Sequence, residues 1–577
     1  MRRNEEVALL LDNIAELLML KNENPYRIRA YVTAAQNIRA LDADIEELAQ
    51  HGKLDEIPGV GKAIAAKIEE YLRTGRLAYY EELKREVPLA AVELLEVPGI
   101  GPARAHLLYK ELGITTIGQL LEAAQHHRLR DLPGFGEKLE ERIAREAARL
   151  MQRSKRLLLG VALPVAEDVV ESLRRVPAVR AIHPAGSLRR MKETIGDIDI
   201  LVGTDDPQAV VQAFVHLPIV KEVLALGPTR PSILTREDLQ VDLRVVEPDV
   251  YGSALLYFTG SKEHNIALRS LVQERGWKLS EYGLFDRDGK RLASRTEEEI
   301  YQLLEMDWIP PELRENRGEI QAAREHRLPQ LVELRQIRGD VHVHTDWSDG
   351  HDSLERMVQA AIERGYEYLV ISDHSPSLAV ARGLTVERLR EQRRAIRALN
   401  ERYAPFRILH GAEVNIDPDG TLDYPDDVLA ELDVVIVSIH SAFDLPVDRM
   451  TARVVRALAH PQVHILGHPT GRLLDGRLPY EIDLDAVLDA ASRYGVAIEV
   501  NGQPNRLDLP DSWIQRAINR GIAIVCTSDA HAVRQLDNMR WSVATARRGW
   551  AEARHVLNTR ALADFCAWLE RRRARPQ

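Results

Sequence analysis

Apolar and polar positions follow three different periodic patterns along the chain. In residues 1–154 apolar side chains recur at the three- and four-residue spacing of amphipathic helices. The segments 197–202 and 240–246 instead alternate with the period of two that is typical of strands. After residue 337 short β-rich runs alternate with helical runs, which predicts βα units and a parallel sheet. We therefore expect an all-α front part, a middle part that contains strands, and a parallel βα part at the end.

The β-rich runs of the last part number seven, one fewer than in the common eight-stranded βα barrel. We expect them to close into a (βα)7 barrel, a distorted relative of the TIM barrel, with functional groups at the carboxyl ends of the strands. The runs are 340–345, 368–373, 407–413, 434–440, 463–468, 496–501 and 522–529.

The length of 577 residues is too great for one hydrophobic core, so several domains are expected. Asp12, Asn13 and Glu16 interrupt the first apolar stretch, which predicts an amphipathic helix rather than a signal peptide. No apolar run reaches membrane-spanning length. Two cysteines exclude a disulfide framework and fit a reducing cytoplasm. We therefore expect a cytoplasmic, nucleoid-associated protein without a membrane partner, and a monomer because no long heptad pattern is present.

A net charge of −11 argues at first sight against a nucleic-acid partner. In a chain of several domains the distribution of charge matters more than its sum, because metal sites concentrate carboxylates. Basic residues recur at helical spacing at Lys138, Arg142, Arg145, Arg149 and Arg153. This stripe fits either a DNA contact or an ordinary solvated helix face, so composition leaves both interpretations open.

Three copies of an apolar-Pro-Gly-x-Gly turn precede helical patterns, at 57–61, 97–101 and 132–136. Such a turn exposes backbone N–H groups at the start of a helix, which can hold a phosphate without reading a base. The repeats resemble helix-hairpin-helix elements that bind the DNA backbone. The third copy, with Phe135 and Glu137, is equally compatible with a packing role. The glycines expected to contact DNA are Gly59, Gly61, Gly99, Gly101, Gly134 and Gly136.

Three aspartates are predicted to converge in the middle part. Asp197 and Asp199 share one face of a strand, roughly 7 Å apart at their Cα atoms, and Asp242 lies on a similar strand. Converging carboxylates repel one another unless divalent cations neutralise them, and Mg²⁺ prefers oxygen ligands. Two such ions would stabilise the attacking and leaving oxygens of an in-line phosphoryl displacement.

The residues upstream complete a signature. Gly186 and Ser187 form a turn, and Arg189 and Arg190 supply positive charge for a triphosphate. The string Gly-Ser-x-Arg-Arg-x₅-Gly-Asp-x-Asp that ends at Asp199 resembles the nucleotidyltransferase signature of family X DNA polymerases, which include polymerase beta. A second string, Tyr-Phe-Thr-Gly-Ser at 257–261, is similar to the motif at the start of that family's thumb.

The resemblance implies an α+β nucleotidyltransferase palm with a thumb. It also implies that Asp197, Asp199 and Asp242 hold two catalytic Mg²⁺ or Mn²⁺ ions, and that Asp242 accepts the proton of the primer 3′-hydroxyl. Arg269 would contact the DNA template. The positions implied to bind the incoming dNTP are Gly186, Ser187, Arg190, Gly196, Tyr257, Phe258, Gly260, Ser261, Lys262 and Asn265.

Lys67 aligns with the Schiff-base lysine of the deoxyribose-phosphate lyase domain of the same family. Schiff-base chemistry requires a neutral amine. A lysine that binds the DNA backbone or lies in solvent is the alternative interpretation. Lyase activity at Lys67 is therefore a separate hypothesis.

Six of the seven β-rich runs end in potential metal ligands. In barrel enzymes the catalytic groups come from the carboxyl ends of strands and the loops that follow. Two pairs of these ligands also have the period-2 spacing that places both members on one face. The predicted ligands are His342, His344, Asp349, His374, Glu413, His440, His468, Asp529 and His531.

The same segments resemble the PHP (polymerase and histidinol phosphatase) family. The resemblance implies a trinuclear centre in which Glu413 is a bridge and which holds up to three Zn²⁺, Mn²⁺ or Fe²⁺ ions. The mixed nitrogen and oxygen ligands do not distinguish these metals. Such a centre lowers the pKa of a bound water and clamps a phosphate. Arg382 and Arg472, in loops after ligand-bearing strands, are expected to bind phosphate.

The order of these parts resembles bacterial and archaeal family X polymerases along almost the whole chain. It predicts six segments with distinct roles. They are a helical 8-kDa-like DNA-binding domain at 1–80, a fingers-like helical domain at 81–154, the palm at 155–246, the thumb at 247–315, a linker at 316–336 and the PHP metallophosphoesterase domain at 337–577.

This organisation predicts a repair polymerase that fills short gaps, in a base excision repair setting, and binds gapped or nicked duplex DNA and dNTPs. The second site would act as a metal-dependent 3′-5′ exonuclease, 3′-phosphatase or AP endonuclease. Two alternatives stay open. In one, the barrel hydrolyses a small phosphorylated metabolite and the front half regulates it; in the other, the metal clusters only stabilise a scaffold.

Overall fold

The computed structural model describes residues 2–21, 23–39, 45–86, 91, 94–95, 97, 100–153, 156–474 and 476–574. The chain forms two compact units, Met1–Arg156 and Leu157–Gln577. None of the helices among these described residues is long and apolar enough to cross a membrane.

The first unit contains eight α-helices in the part that the structure describes, and its core is formed by their apolar faces. In the first helix Leu11, Ile14 and Leu18 are fully buried, which is the three- and four-residue spacing expected of an amphipathic helix. The helical front part is therefore confirmed. The helices are α1 Arg2–Leu20, α2 Pro25–Arg39, α3 Ile45–Gln50, α4 Lys62–Thr74, α5 Ala78–Glu86, α6 Pro102–Leu112, α7 Ile117–Gln125 and α8 Glu137–Arg153.

The second unit begins with a mixed sheet in the order β2-β4-β7-β6-β5. The central strands β4 and β7 are parallel, and their neighbours pair with them in antiparallel fashion. Helices α9 and α11 cover the sheet through Val170 and Phe214. The elements are β1 Leu157–Leu158, α9 Leu159–Arg174, β2 Val179–Pro184, α10 Gly186–Arg189, β3 Thr194–Ile195, β4 Ile198–Thr204, α11 Pro207–Val215, β5 Val220–Ala225, β6 Ser232–Thr235 and β7 Gln240–Val246.

A smaller helical and β part follows the sheet, with a core that includes Leu256, Leu268 and Ile300. The segment 316–336, predicted to be a linker, contains a helix whose Glu319 lies 2.7 Å from Nδ1 of His264. Both of these side chains are fully buried, so this helix packs on the preceding part. The elements are α12 Tyr251–Thr259, α13 Lys262–Glu274, β8 Lys278–Ser280, β9 Gly283–Phe285, β10 Arg291–Ala293, α14 Glu297–Leu303 and α15 Glu319–Arg324.

Glu297 joins the sheet to this smaller part. Its carboxylate accepts hydrogen bonds from Arg189 at 2.8 and 2.9 Å, from Arg314 at 2.7 and 3.0 Å, and from Trp308 at 3.0 Å. Burial opposes its charge, but Arg314 and Arg189 hold the pKa of Glu297 far below its ordinary value. The carboxylate therefore stays ionised between two guanidinium groups.

Replacement of this carboxylate is expected to destabilise the chain. Glu297→Gln leaves the buried Arg314 and the part-buried Arg189 without their anion, and we expect the free energy of unfolding to fall by about 3 kcal/mol. Urea unfolding measures the change, with Glu298→Gln as the matched control because Glu298 is exposed on the same helix. Equal effects of the two substitutions would contradict this account.

The rest of the second unit is a barrel of seven parallel strands within the described residues, in the order β11 to β17. Strand β14 reads Val-Val-Ile-Val-Ser and is buried at every position, as expected where helices cover the sheet. An isolated parallel bridge between Val343 and Ala530, beyond the ends of β11 and β17, brings the two edges of the sheet together. The predicted seven-stranded, TIM-like barrel is thus confirmed and is nearly closed.

The barrel alternates strands with helices around its circumference. At its amino-terminal end α23 closes the core, with Phe565 stacked on Tyr368 at 5.2 Å between ring centroids. The elements are β11 Gly339–Asp340, α16 Leu354–Glu363, β12 Tyr368–Ile371, α17 Val386–Arg402, β13 Arg407–Asn415, α18 Asp426–Glu431, β14 Val434–Ser438, α19 Val447–Leu458, β15 Ile465–Leu466, α20 Leu484–Tyr494, β16 Ala497–Asn501, α21 Asp511–Asn519, β17 Ile524–Thr527, α22 Met539–Arg548 and α23 Leu562–Arg573.

The mixed sheet and the barrel pack directly on each other. Leu507 and Trp541 of the barrel belong to the apolar core beneath the sheet. A Cβ atom on Gly160 of α9 would lie 2.6 Å from Cβ of Pro504, so the backbone of α9 lies too close to the proline ring for a larger residue. The chemistry of both parts is thus built on one continuous body.

Candidate active sites

Three aspartates meet at one edge of the mixed sheet. Asp199 on β4 lies directly opposite Asp242 on β7 in the parallel register, and Asp197 lies two residues before Asp199. Burial, then the charge of Asp242, raise the pKa of Asp199 to about 6, and Asp197 adds to the effect. Carboxylates this close resist ionising together unless a cation neutralises them. The oxygen donors therefore fit a divalent cation such as Mg²⁺.

Gln240 supports this group and was absent from the predicted site. Its side-chain Nε2 donates to the two carboxylate oxygens of Asp242 at 3.0 and 3.1 Å. Because Gln240 precedes Asp242 by two residues on β7, both side chains lie on the same face. The sequence shows that Gln240 and Asp242 are two residues apart, but a single glutamine at the start of a strand does not by itself indicate a functional site.

The predicted Gly-Ser turn lies against the same aspartates. Gly186 has a φ of +60°, and a Cβ atom there would lie 3.0 Å from Oδ2 of Asp199. Only glycine accommodates both the backbone conformation and the close approach. Ser187 follows it, half-buried, in the short helix α10. The turn and the carboxylates therefore form one contiguous site.

Arg190 connects this site to the second predicted nucleotide-binding string. Its Nη1 donates to the carbonyl of Thr259 at 2.5 Å and lies 3.1 Å from where a Cβ atom of Gly260 would be. Next to them the rings of Tyr257 and Phe258 meet edge to face at 5.2 Å. The two strings, far apart in the sequence, are thus brought together.

The remaining predicted nucleotide and template contacts lie on α13 and beside it. Asn265 Nδ2 donates to the carbonyl of Tyr257 at 2.7 Å, and Arg269 Nε donates to the carbonyl of Asn265 at 3.1 Å. Ser261 is buried and caps the helix, while Lys262 is exposed. Gly196 is exposed beside the aspartates.

Arg189 bonds to groups inside the protein. Both of its terminal nitrogens bond to Glu297, and Nη1 also donates to Oγ1 of Thr259 at 2.7 Å. It shares this carboxylate with Arg314, and its role in binding a triphosphate stays a prediction. The partner lies 108 residues away, so the sequence motif alone could not indicate it.

The three Pro-Gly turns of the first unit share one backbone hydrogen bond. In each turn the residue after the first glycine donates its N–H to the carbonyl three residues back. The three bonds are Val60 to Ile57 at 2.9 Å, Ile100 to Val97 at 2.9 Å, and Phe135 to Leu132 at 3.0 Å. A Cβ atom at Gly61, Gly101, Gly134 or Gly136 would meet nothing within 4 Å, so these backbones are open to a ligand. Gly59 has a φ of +81°, and Gly99 lies outside the described residues.

The third turn also takes part in packing. Phe135 is buried in the core of the first unit, and Arg104 donates to the carbonyl of Gly134 at 3.3 Å. On the helix that follows, Lys138, Arg142 and Arg145 are exposed. The described portion of the basic stripe therefore faces solvent next to an open turn.

Lys67 lies on α4 above the ring of Tyr79, with Nζ 4.9 Å from the ring centroid. The ammonium group donates to the carbonyl of Ala63 at 3.2 Å. The hydroxyl of Tyr79 accepts a bond from Arg27 at 2.8 Å. Lys67 is thus held beside an aromatic ring and a second cation at the surface of the first unit.

The predicted ligands of the barrel gather around Glu413. Its two carboxylate oxygens lie between 2.8 and 3.5 Å from ring nitrogens of five histidines, namely His342, His344, His374, His440 and His468. Asp349 lies 3.4 Å from His531, and Asp529 lies 3.3 Å from His344. Burial opposes the charge of Glu413, but the surrounding histidines hold its pKa well below the ordinary value.

Ligand atoms form three groups whose members lie within 4.8 Å of one another. The groups are His344, Asp349, His374 and His531; His342, His344 and Asp529; and His374, Glu413 and His440. Both ring nitrogens of His344 are buried without a hydrogen-bond partner in good geometry among the described residues. Buried imidazoles and carboxylates that converge in this way fit a cluster of divalent cations.

Two residues outside the predicted ligand set, Glu499 and Asn501, orient these ligands through hydrogen bonds. Glu499 accepts a bond from Nδ1 of His342 at 2.6 Å and from Oγ1 of Thr527 at 2.7 Å. Asn501 donates to Glu499 at 3.2 Å and to Asp529 at 3.0 Å. Glu499 and Asn501 share the period-2 face of β16, the strand whose end carried no predicted ligand. That alternation was the available signal.

Two arginines near the barrel rim differ from expectation. Arg472 donates to Glu193 of the sheet part at 2.6 Å and to the carbonyl of Arg506 at 3.0 Å, so its predicted role in binding phosphate is wrong. Arg506 is instead beside the metal ligands, with Nε 3.9 Å from Oδ2 of Asp529. Its Nη1 is buried without a partner among the described residues. Arg382 is exposed, and its role in binding phosphate stays a prediction.

Four family models match the chain in separate segments. A helix-hairpin-helix domain matches residues 2–77, and a SAM-like helix-hairpin-helix tandem matches 91–149. The DNA polymerase beta thumb matches 254–315, and the PHP domain matches 340–503. The helical turns, the segment after the aspartates and the histidine cluster thus each have a family counterpart.

Three relatives extend the comparison. The chain is 40% identical over 570 residues to the DNA polymerase/3′-5′ exonuclease PolX of Bacillus subtilis (strain 168), which covers 98% of this chain and 99% of the relative. DNA polymerase lambda of Arabidopsis thaliana is 27% identical over 49% of this chain and 56% of its own length. A probable phosphatase of Thermoanaerobacter sp. (strain X514) is 30% identical over 38% of this chain and 89% of its own length.

The PolX match spans both the aspartate site and the histidine cluster, whereas the other two relatives each match a part of the chain. The chain therefore belongs to the PolX family, the family X DNA polymerases that carry a PHP domain.

Proposed function

We propose that this protein fills short gaps in DNA with its sheet site, the palm, and trims or cleans 3′ ends with its barrel site. One observation carries the proposal: two separate groups of candidate metal ligands stand on one body, three aspartates at one edge of the sheet and the histidines and carboxylates around Glu413. The matching PolX is named both a DNA polymerase and a 3′-5′ exonuclease, which supports the pairing of activities.

In the palm, Asp197, Asp199 and Asp242 would hold two Mg²⁺ or Mn²⁺ ions. These ions supply charge stabilisation for the attacking and leaving oxygens when bound. Asp242, oriented by Gln240, accepts the proton of the primer 3′-hydroxyl. The incoming dNTP is bound by Gly186, Ser187, Arg190, Gly196, Tyr257, Phe258, Gly260, Ser261, Lys262 and Asn265.

In the barrel, up to three Zn²⁺, Mn²⁺ or Fe²⁺ ions would be held by the nine predicted ligands, with Glu413 as the bridge. The ions supply a nucleophilic water at neutral pH when bound. Glu499 orients His342. The substrate is a DNA phosphodiester or a 3′-phosphate, because the barrel stands on the same chain as the polymerase site. The ligands are His342, His344, Asp349, His374, Glu413, His440, His468, Asp529 and His531.

Gapped or nicked duplex DNA is the proposed partner of the first unit, held through Gly59, Gly61, Gly99, Gly101, Gly134 and Gly136, with Arg269 on the template. The open turns and the exposed basic side chains of α8 support this role, and a monomer suffices for it. The proposed division is 1–80 and 81–154 for DNA binding, 155–246 for the palm, 247–315 for the thumb, 316–336 for the connection and 337–577 for the barrel.

Lyase activity at Lys67 stays a prediction. Borohydride should trap an adduct with a 5′-deoxyribose-phosphate end that disappears in Lys67→Ala. Lys62→Ala is the matched control, because Lys62 is exposed on the same helix. An adduct that survives Lys67→Ala, or none with the unaltered chain, would exclude this lysine.

A one-nucleotide gapped duplex with a 3′-phosphate tests the two activities together. We expect the unaltered chain to remove the phosphate without dNTP and to extend the cleaned primer by one nucleotide when dNTP and Mg²⁺ or Mn²⁺ are added. Gel analysis with and without dNTP separates the two steps. Extension of a 3′-hydroxyl primer without phosphate removal would reject only the barrel's part.

The similarity to a probable phosphatase favours a second candidate for the barrel, hydrolysis of a small phosphate ester. A comparison of turnover on a small phosphate ester and on a 3′-phosphorylated duplex distinguishes the two. We expect the duplex to be preferred because helix-hairpin-helix turns would hold it.

A further inference from the structure

Six charged side chains form a largely buried network where the palm, the thumb and the barrel meet. They are Arg190, Lys192, Glu315, Arg317, Asp511 and Arg548. Arg548 is the last residue of α22 in the barrel, and its side chain is 4% exposed. Burying a guanidinium group is costly unless each of its nitrogens has a hydrogen-bond or ion-pair partner.

Arg548 bonds directly to the main chain of the palm's nucleotide-binding string. Its Nη1 donates to the carbonyl oxygen of Arg190 at 2.6 Å and lies 3.1 Å from Oε1 of Glu315. The same Oε1 accepts a bond from Nε of Arg190 at 3.1 Å. One carboxylate oxygen thus ties together an arginine of the palm and an arginine of the barrel.

The other arm of Arg548 is anchored inside the barrel. Its Nη2 lies 2.5 Å from Oδ2 of Asp511, which also pairs with Arg317 at 2.8 Å. Burial opposes the charge of Asp511, but Arg548 and Arg317 hold its pKa well below the ordinary value. Arg548 is therefore fixed at both ends by ionised groups.

The network reaches the predicted nucleotide site through Arg190. The Nη1 atom of Arg190 donates to the carbonyl of Thr259, which precedes Gly260 and Ser261. We propose that Arg548 is a positioning residue for nucleotide addition, which holds the backbone and guanidinium of Arg190 where a triphosphate is bound. This inference rests on the proposed polymerase function. It makes the barrel a structural part of the polymerase site, besides its own chemistry.

The test compares Arg548→Met with Arg540→Met in the full chain. Arg540 lies on the same helix and pairs across the same contact with Glu167 at 2.6 Å, but its side chain is 35% exposed. We expect Arg548→Met to raise KM for dNTP about tenfold in single-gap filling, because the loss of charge-assisted bonds lets Arg190 shift. Arg540→Met should leave KM unchanged, and removal of a 3′ nucleotide should be unchanged in both.

Arg548→Lys distinguishes positioning from folding. A lysine keeps the charge and one bond, so we expect a KM between those of the unaltered chain and Arg548→Met. An unchanged KM in Arg548→Met, or an equal loss of gap filling and 3′-end removal in both Arg548 variants, would overturn the proposal. Absence of gap filling in the unaltered chain would instead reject the proposed function.

Discussion

Asp199→Asn is expected to lower primer extension about a thousandfold while 3′-end removal continues at the rate of the unaltered chain. Asp199 faces Asp242 across paired strands and touches the turn at Gly186, so it stands at the centre of the aspartate group. The amide keeps the shape but removes a charge that would bind cations, and such cations contribute several kcal/mol to charge stabilisation. Single-turnover extension of a gapped duplex at saturating dNTP measures the loss.

Asp205→Asn is the matched control for this substitution. Asp205 follows the same strand, is well exposed and pairs with Arg180 at 3.0 Å. We expect its extension rate to equal that of the unaltered chain. Loss of both activities in Asp199→Asn would refute two separate sites, and full extension would remove Asp199 from the polymerase site.

The sequence was a good guide wherever chemistry depends on local period. Asp199 lies on a predicted strand, and Glu413 and His440 end predicted β-rich runs. Asp197 is an exception, because β4 begins at Ile198 and Asp197 lies in the bend before it. Because parallel strands expose their carboxyl ends at one edge, ligands at those ends must converge. The seven-stranded barrel followed from the same regularity.

Ion pairs between residues far apart in the sequence cannot be predicted from local periodicity. Arg189 and Arg472 were expected to bind phosphate groups, but in the folded chain they pair with Glu297, which Arg314 shares, and with Glu193. Ion-pair partners so distant in the sequence produce no periodic pattern that could reveal them. Arg506, which stands where Arg472 was expected, lacks a motif of its own.

Strand lengths were also overestimated near the ligands. The run 340–345 was predicted as one strand, whereas β11 covers only Gly339–Asp340, and the run 463–468 contains only Ile465–Leu466 as a strand. The chain leaves the sheet where His342, His344 and His468 turn toward Glu413. His468 has a positive φ of 24°, a conformation that no strand supplies. The strands are thus short because the backbone leaves the sheet where these histidines turn toward Glu413.

Glu413→Gln is expected to abolish the barrel's activity, with a fall of about a thousandfold in 3′-end removal. The change removes the anion that five histidines share, so metal affinity should fall as well. Metal content per chain after dialysis, measured by elemental analysis, should drop below that of the unaltered chain. Primer extension should be retained, because the aspartates of the palm are a separate set.

Glu431→Gln provides the control, since Glu431 is a partly exposed carboxylate of the same barrel that pairs with Arg390. It should keep its metal and its 3′-end removal. Chelation gives an independent readout: bound cations stabilise only the folded state, so a chelator should lower the melting temperature of the unaltered chain and of Glu431→Gln. Glu413→Gln should respond much less, because less metal is present to remove. An equal chelator response in all three would mean that Glu413 holds no metal, and the bridge at the centre of the cluster would have to be assigned to another group.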